Sequence, residues 1–132
     1  GVDVNPEMLA LARSHQDAIA ERIGWSNVEF RRGRIQDLRL DLDAVDGFLA
    51  RSPVSSAADL ERLDSFTARQ RAETPLVADA SVDVVVSNCV LNLVRDDDKR
   101  MLVGEIFRVL RDGGRAVISD IVCDEPVPRT FK

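Results

Sequence analysis

The sequence has 132 residues, a formal net charge of −5, 45% hydrophobic residues and 31% charged residues. This composition is typical of one modest soluble domain. It argues against a nucleic-acid or anionic-membrane partner, because phosphate binding needs clustered Lys and Arg, and no apolar run approaches the ~18 residues of a membrane span. The two cysteines form no disulfide framework and no signal peptide is recognisable, so we expect a cytoplasmic protein.

The chain opens with the end of a strand, residues 1–4, followed by a helix. Asn5, Pro6 and Glu7 predict the helix start, because Asn caps, Pro suits the first helical position and Glu complements the dipole. Gly24 is placed to end this helix as a left-handed cap. The apolar residues at helical spacing, which predict its core face, are Met8, Leu9, Ala12, Ile19 and Ile23.

The next stretch predicts a second strand and then a break in the pattern. Residues 27–33 alternate apolar and polar, which is typical of a half-covered outer strand, and residues 33–37 follow as a loop at its carboxyl end. Residues 38–77 predict two amphipathic helices, the second opened by a capping box from Ser56 to Asp59. We interpret 38–77 as an inserted helical hairpin, either a solvated decoration or a lid.

The β-branched run 82–86 has the length of a strand buried on both faces of a parallel sheet, and it breaks into the polar turn Ser87-Asn88-Cys89. Ligands bind outside the carboxyl ends of such strands, so an amide and a thiol here lie where chemistry normally occurs. The alternative is that Cys89 is a small buried hydrophobic residue.

A last helix and strand complete the order. The acids at 96–98 predict a helix start through capping and dipole compensation, Asp112-Gly113-Gly114 predicts a turn, and residues 115–121 predict a strand. The buried face of the helix is predicted to comprise Met101, Leu102, Ile106, Val109 and Leu110. Cys123 lies just beyond the last strand and receives no role.

Strands alternating with helices predict an α/β fold: a Rossmann-like, doubly wound, mostly parallel sheet. Asp3, at the tip of the first visible strand, has the position that hydrogen-bonds ribose hydroxyls in such sheets. In the strand order 3-2-1-4-5 this strand is the second one, so the first strand and its glycine-rich loop are absent. The strands at Gly1 and Val82 would then have unpaired edges. We therefore expect residues 1–132 to be a truncated domain of a longer protein.

Three motifs carry a family resemblance. Residues 1–9, Gly-Val-Asp-Val-Asn-Pro-Glu-Met-Leu, resemble the second motif of class I S-adenosylmethionine-dependent methyltransferases. Residues 81–93, Ser-Val-Asp-Val-Val-Val-Ser-Asn-Cys-Val-Leu-Asn-Leu, are similar to the motif after strand four in the arsenite methyltransferase branch. Residues 107–115, Phe-Arg-Val-Leu-Arg-Asp-Gly-Gly-Arg, resemble the helix-turn-strand of the wider class.

The resemblance implies a role for each matching residue. It implies that Asp3 binds the ribose diol of S-adenosylmethionine and that Val4 lies against the adenine. Ile35 would sit at the adenine edge, and Asn88 near the sulfonium end. Cys89 would correspond to an arsenic-binding thiol of the arsenite branch.

The implied function is methyl transfer from S-adenosylmethionine to a small acceptor, arsenite bound by Cys thiolates, with the isolated segment inactive. Methyl transfer by in-line displacement needs alignment above all. Arsenic(III) supplies its own lone pair and prefers soft thiolate ligands. The alternatives are a different small acceptor, a non-catalytic partial domain, or an NAD-dependent enzyme, since Asp3 would serve that ribose equally well. The oligomeric state is not predicted.

Overall fold

The computed structural model describes residues 1–122, in which the strands form two separate parallel pairs. Strand β1 (Val2–Asp3) pairs with β2 (Arg31–Arg32), and β3 (Val82–Asn88) pairs with β4 (Leu110–Ser119). The predicted α/β class with parallel strands is confirmed. No strand within residues 1–122 joins β1 to β3, so these two strands have the unpaired edges that the predicted absence of the first strand implies.

The first helical region is broken, where the sequence predicts one helix. Helix α1 (Pro6–Ser14) ends at His15, and α2 (Gln16–Ile23) follows directly. The backbone N–H of His15 bonds Ala12 O at 3.3 Å, three residues back, and the Ser14 hydroxyl donates to Leu11 O at 2.7 Å. These tighter local bonds end the α-helical ladder. The predicted caps are confirmed: Asn5 Oδ1 accepts the N–H of Glu7 at 2.8 Å, and Gly24 has φ +79°.

The predicted core face of this region is mostly wrong. Leu9 is buried, whereas Met8, Ile19 and Ile23 are each about half exposed. The reason is the length of β1 and β2, which span two residues each instead of the predicted seven-residue second strand. Strands this short present little sheet surface against which a helix can bury its apolar face.

Residues 38–77 contain helices α3 (Leu42–Arg51) and α4 (Ala57–Glu73), joined through a stack of Phe48 on Phe66 with ring centroids 4.6 Å apart. The predicted cap at Ser56 is confirmed, since its side chain accepts the Asp59 N–H at 3.2 Å. The two ends of the segment pair with each other, Leu76 N–H with Arg39 O at 3.0 Å and Val77 N–H with Leu38 O at 2.9 Å. The chain therefore leaves and returns at one place; that the segment is an insertion stays a prediction.

The second pair of strands packs on helix α5 (Lys99–Val109), which buries Leu102, Ile106 and Val109. Met101, predicted to be buried, is 57% exposed, and Leu110 is the first residue of β4 instead of the end of the helix. Between the Cα partners Val82↔Leu110 and Val84↔Arg115 the register shifts. The predicted turn 112–114 lies in this shift, with Gly113 at φ +78°.

Strand β3 differs from its prediction in two respects. It continues through Ser87 and Asn88, so the turn falls at Cys89 alone. It is also not buried on both faces: Val84 is 51% and Val86 73% exposed, whereas Ser87 is buried. Alternate residues of a strand face opposite sides, so within residues 1–122 only the side that carries Ser87 is covered. No helix in residues 1–122 combines the length and apolarity needed to cross a membrane.

Candidate functional site

A cleft of about 770 Å³ separates the two strand pairs. Residues 1–4, which include β1, line one side, and all of β3 except Asp83 lines the other. The loop at 33–36, the turn after β3 and the inner face of α5 complete the walls. Pockets of this volume hold cofactors and drug-sized ligands.

Four of the five residues predicted for the site line this cleft: Asp3, Val4, Ile35 and Asn88. They come from β1, from the loop after β2 and from the end of β3, three stretches far apart in the sequence. The carboxyl ends of parallel strands therefore bring them together, as the topology rule predicts. Their individual roles stay predictions.

Asp3 is held by its own backbone neighbourhood. Its Oδ1 accepts the N–H of Asn5 at 2.8 Å, and its carbonyl accepts the N–H of Gly33 at 3.0 Å. Within residues 1–122 its second carboxylate oxygen has no hydrogen-bond partner. That oxygen is thus available to accept hydrogen bonds from the hydroxyl groups of a ligand.

Gly33 sets the path of the loop that carries Ile35. A Cβ atom at this position would collide with the buried side chain of Leu76 and lie 3.3 Å from Cγ1 of Val2. The φ of Gly33 is not in the left-handed region, so its backbone conformation does not require glycine. The close approach of Leu76 is what requires it. The loop then turns back through a hydrogen bond of 2.9 Å from Asp37 N–H to Arg34 O.

Cys89 lies beside the cleft, not in its lining. It is exposed, which contradicts the interpretation as a buried hydrophobic residue, and it has φ +56°, a value that few side-chain-bearing residues adopt. Its N–H donates to Ser119 O at 2.8 Å, and its thiol is 3.5 Å from Oδ1 of Asn88. The thiol is therefore accessible and lies next to Asn88, which lines the cleft. Its backbone conformation is a strained one, of a kind that often occurs at functional sites.

The turn after β3 is fixed by Asn92, which the sequence reasoning missed. Its backbone N–H and its side-chain amide donate to the two carboxylate oxygens of Asp120, at 3.0 and 2.8 Å, and the amide also donates to Ile121 O at 2.6 Å. These bonds tie the turn to the end of β4 and so hold Cys89 in place. The pattern Asn-Leu in the quoted motif was the available signal.

Asp98 and Arg95 are further lining residues that the sequence did not identify. The acids at 96–98 were interpreted as helix caps, but Asp98, at the N-cap of α5, makes no side-chain capping bond, and Asp96 bonds the Lys99 ammonium at 2.7 Å. Asp98 is therefore a half-buried carboxylate in the cleft wall. Its place just before a helix was a misleading local signal.

Ionic contacts fix the back of the cleft to both ends of residues 38–77. Glu105 on α5 accepts the Leu38 N–H at 2.7 Å and two bonds from the Arg108 guanidinium at 2.7 and 2.8 Å. Arg108 also donates to Val77 O at 2.9 Å and to Asp79 at 2.6 Å. The hydrogen bonds that Arg108 donates to Glu105 raise the pKa of Arg108, and the one that it donates to Asp79 lowers the pKa of Asp79. Leu38 and Val77, which line the cleft, are held in place by charge-assisted bonds.

Metal ligands are not assembled in the described part of the chain: within residues 1–122 no three His, Cys, Asp or Glu side chains form a group that could hold a metal ion. Cys89 is the thiol of this region. Cys123 lies outside the described residues.

Comparison with known proteins gives a consistent family. The family described as Methyltransferase domain matches residues 1–132. The arsenite methyltransferase of Aquipseudomonas alcaligenes is 37% identical over 124 residues, 94% of this chain and 25% of that protein. The arsenite methyltransferase of Halobacterium salinarum is 52% identical over 52 residues, 39% of this chain and 13% of that protein, and the one of Homo sapiens is 39% identical over 56 residues, 42% and 14%. No solved structure matches.

The chain thus spans about a quarter of the length, or less, of the curated relatives it matches. The family match over the whole chain and the parallel strands of the structure agree with the predicted Rossmann-like fold. The methyltransferases of this family depend on S-adenosylmethionine, so the predicted cofactor is confirmed. On this evidence the chain belongs to the class I S-adenosylmethionine-dependent methyltransferases and resembles their arsenite methyltransferase branch.

Proposed function

We propose that this chain is the donor-binding part of an enzyme that transfers a methyl group from S-adenosylmethionine to arsenite. The observation that carries the proposal is the convergence of Asp3, Val4, Ile35 and Asn88 on one cleft. Residues of three separated stretches, each matching a role in donor binding, meet there. The names of the relatives support the acceptor.

The cleft suits the donor in size and in chemistry. Its volume of about 770 Å³ is in the range of cofactor pockets. Asp3 has a carboxylate oxygen free to accept hydrogen bonds from a ribose, and Val4 and Ile35 offer apolar surface for an adenine ring. Asn88 would lie near the sulfonium end. When bound, the donor would supply an activated methyl group, and the residues that line the cleft would position it.

Cys89 is the residue we propose for the acceptor. Its exposed thiol is 3.5 Å from Asn88 Oδ1. A sulfur atom able to bind arsenic therefore lies next to Asn88, the residue that we assign to the sulfonium end of the donor. Arsenic(III) carries its own lone pair, so its methylation would require no general base of the protein. The task of the residues around the cleft is then alignment of donor and acceptor.

A different small acceptor is the second candidate, and one observation favours it: Cys89 is outside the lining of the cleft. In that case the acceptor binds within the walls that the turn after β3 and the loop at 33–36 provide. The two candidates share the donor and differ in the role of the thiol, so they can be tested separately.

Donor binding is tested by equilibrium dialysis of the 132-residue chain with labelled S-adenosylmethionine. Asp3→Asn is expected to weaken binding about tenfold or more, since it replaces a charged hydrogen-bond acceptor. Asp64→Asn, on the exposed side of α4, removes the same charge away from the cleft and should leave binding unchanged. Equal binding by the parent chain and Asp3→Asn would remove Asp3 from donor recognition.

The acceptor is tested in a full-length protein that contains this chain, by arsenite-dependent consumption of the methyl donor. Cys89→Ser is expected to abolish turnover with arsenite while donor binding stays intact, because a hydroxyl is a poor ligand for a soft centre. Cys123→Ser is the matched control for loss of a thiol. Unchanged turnover in Cys89→Ser would contradict the thiol mechanism and favour the second candidate. The isolated chain, assayed alongside, is expected to show no turnover.

A further inference from the structure

A second cavity, of about 300 Å³, lies beside the cleft and shares four residues with it: Arg34, Gln36, Arg95 and Asp98. The rest of its wall comes from Asp37, Met101 on α5 and the 38–77 segment. That segment contributes Leu40, Leu42 and Arg71, while α3 beyond Leu42 and α4 beyond Arg71 contribute nothing to either wall. In the described residues the two ends of the segment, Leu38 and Val77, line the first cleft, whereas Leu40, Leu42 and Arg71 line the second cavity.

Some of the charged side chains that line this second cavity have ionic partners within residues 1–122, and others do not. The Arg71 guanidinium donates twice to Asp37 Oδ2, at 3.0 and 2.9 Å, so this pair is self-contained. The Arg34 side chain has no hydrogen bond or ion pair within residues 1–122.

Arg95 is almost as free as Arg34. Its contact with Asp97 is 3.9 Å long between side chains that are 79% and 92% exposed, and such a pair contributes little. With the pair of Arg71 and Asp37 set aside, the wall contains two arginines, Arg34 and Arg95, and one carboxylate, Asp98. The cavity has a surplus of positive charge although the chain carries a net charge of −5.

We propose that this cavity binds a small monocarboxylate, held by Arg34 and Arg95, which line both this cavity and the cleft. Guanidinium groups present paired N–H donors that match the geometry of a carboxylate. The apolar part of the ligand packs against Leu40, Leu42 and Met101. Asp98 in the same wall repels a second negative charge, which selects a monoanion over a dianion such as hydrogen phosphate.

This site is distinct from the thiol of Cys89, and its occupancy does not depend on the proposed function. A ligand bound there is a neighbour of the donor cleft, because four residues belong to both walls. If the donor-binding test failed, the proposal of a carboxylate site would be unaffected. If benzoate did not bind, the proposal of donor binding would be unaffected.

The test is an NMR titration of the 132-residue chain with benzoate, and with benzamide as a neutral molecule of the same shape. Benzoate is expected to shift the Nε–H signals of Arg34 and Arg95 and to bind at least fivefold more tightly than benzamide. Arg34→Gln and Arg95→Gln are each expected to weaken benzoate binding about threefold to fivefold, the range of partly exposed ion pairs. Hydrogen phosphate should bind more weakly than benzoate.

The control is Arg22→Gln on α2, which removes the same charge from a part of the chain outside both cavities. Backbone amide spectra show whether each variant keeps the fold. Equal affinity for benzoate and benzamide, the same loss in Arg22→Gln as in Arg34→Gln, or no binding of benzoate would each overturn the proposal.

Discussion

The two walls of the cleft are built differently. The first wall, in which β1 lines the cleft and α1, α2 and β2 lie beside it, has two residues in each strand and buries one large apolar side chain, Leu9. The second wall, in which β3 and α5 line the cleft and β4 pairs with β3, has six pairs of Cα partners, five of them in one continuous register, and buries three residues of α5. The first wall is closed mainly by polar contacts, such as Arg13 to Phe30 O at 2.8 Å and Gln16 to Val28 O at 2.6 Å.

The difference teaches where stability and binding reside. Asp3 and Val4, proposed to hold the donor, belong to the wall with few buried apolar contacts, whereas the buried apolar side chains are concentrated in the other wall. Regions with few buried contacts open at a lower free energy than the core, and ligand-binding elements are often drawn from them. Changes in the first wall should therefore affect binding more than unfolding, and changes in the second wall the reverse.

The largest expected effect follows from Leu102, which is completely buried on α5. Leu102→Ala should lower the free energy of unfolding by about 3 to 4 kcal/mol, because it leaves a cavity in the better-packed wall. Leu9→Ala should cost about 2 kcal/mol, near the lower end of the range, since its neighbours can relax into the space. Urea unfolding measures both. A larger loss of unfolding free energy for Leu9→Ala than for Leu102→Ala would contradict the comparison of the two walls. The control is Leu60→Ala, because Leu60 on α4 is half exposed.

Replacing two glycines with alanine should change the stability of the fold in opposite directions. Gly33→Ala should destabilise the chain by about 1 to 3 kcal/mol, because the added methyl group collides with buried Leu76. Gly104→Ala in α5 should stabilise it by about 0.5 to 1 kcal/mol, since nothing lies within 4 Å of its Cβ and alanine favours a helix. Thermal unfolding of both variants is the measurement. If Gly104→Ala destabilised the chain, other residues would have to pack against α5 at the position of Gly104, contrary to the open space found there.

A smaller effect is expected in the 38–77 segment, which belongs to neither pair of strands. Ser56→Ala should cost about 1 kcal/mol, the usual value of a lost helix cap. Donor binding by this variant should be unchanged, because α4 does not line the first cleft. Urea unfolding and equilibrium dialysis together measure the two effects. A large loss of donor binding would connect the segment to the donor cleft.

The smallest effect is a dependence on pH at the same cap. Hydrogen bonds from the Ser56 side chain and from the backbone and side chain of Ser55 lower the pKa of Asp59 to about 2. A lowered pKa in the folded state stabilises the fold above the ordinary pKa of 3.8, and this contribution is lost as the pH falls towards 2. Asp59→Asn should therefore unfold more easily than the parent chain at pH 7, and the difference should narrow as the pH falls from about 4 through 2. A constant difference across that interval would contradict it.

Local chemistry allowed much of the fold to be predicted. The caps at Asn5, Gly24 and Ser56 and the turn at Gly113 were predictable, because each depends on hydrogen bonds or on φ within a few residues. The meeting of Asp3 and Asn88 at one cleft was also predictable. It follows from the rule that parallel strands bring their carboxyl ends to one edge.

Other features depend on contacts between distant residues, and the sequence pattern could not supply them. Met8 and Met101 have the spacing of core residues, but they are exposed because nothing long enough packs against them in the described residues. Strand β3 runs two residues further than predicted, so the left-handed residue is Cys89, whose N–H donates to Ser119 O on β4.

The amino-acid sequence by itself determined the order of the elements, their caps and the family to which the chain belongs. Only the tertiary structure decided which apolar faces are buried, that the thiol lies beside the cleft, and that Arg34 and Arg95 line both the cleft and the second cavity. The physical reason is range. Periodicity and capping act over three or four residues, whereas burial and charge pairing depend on partners that lie tens of residues away in the chain.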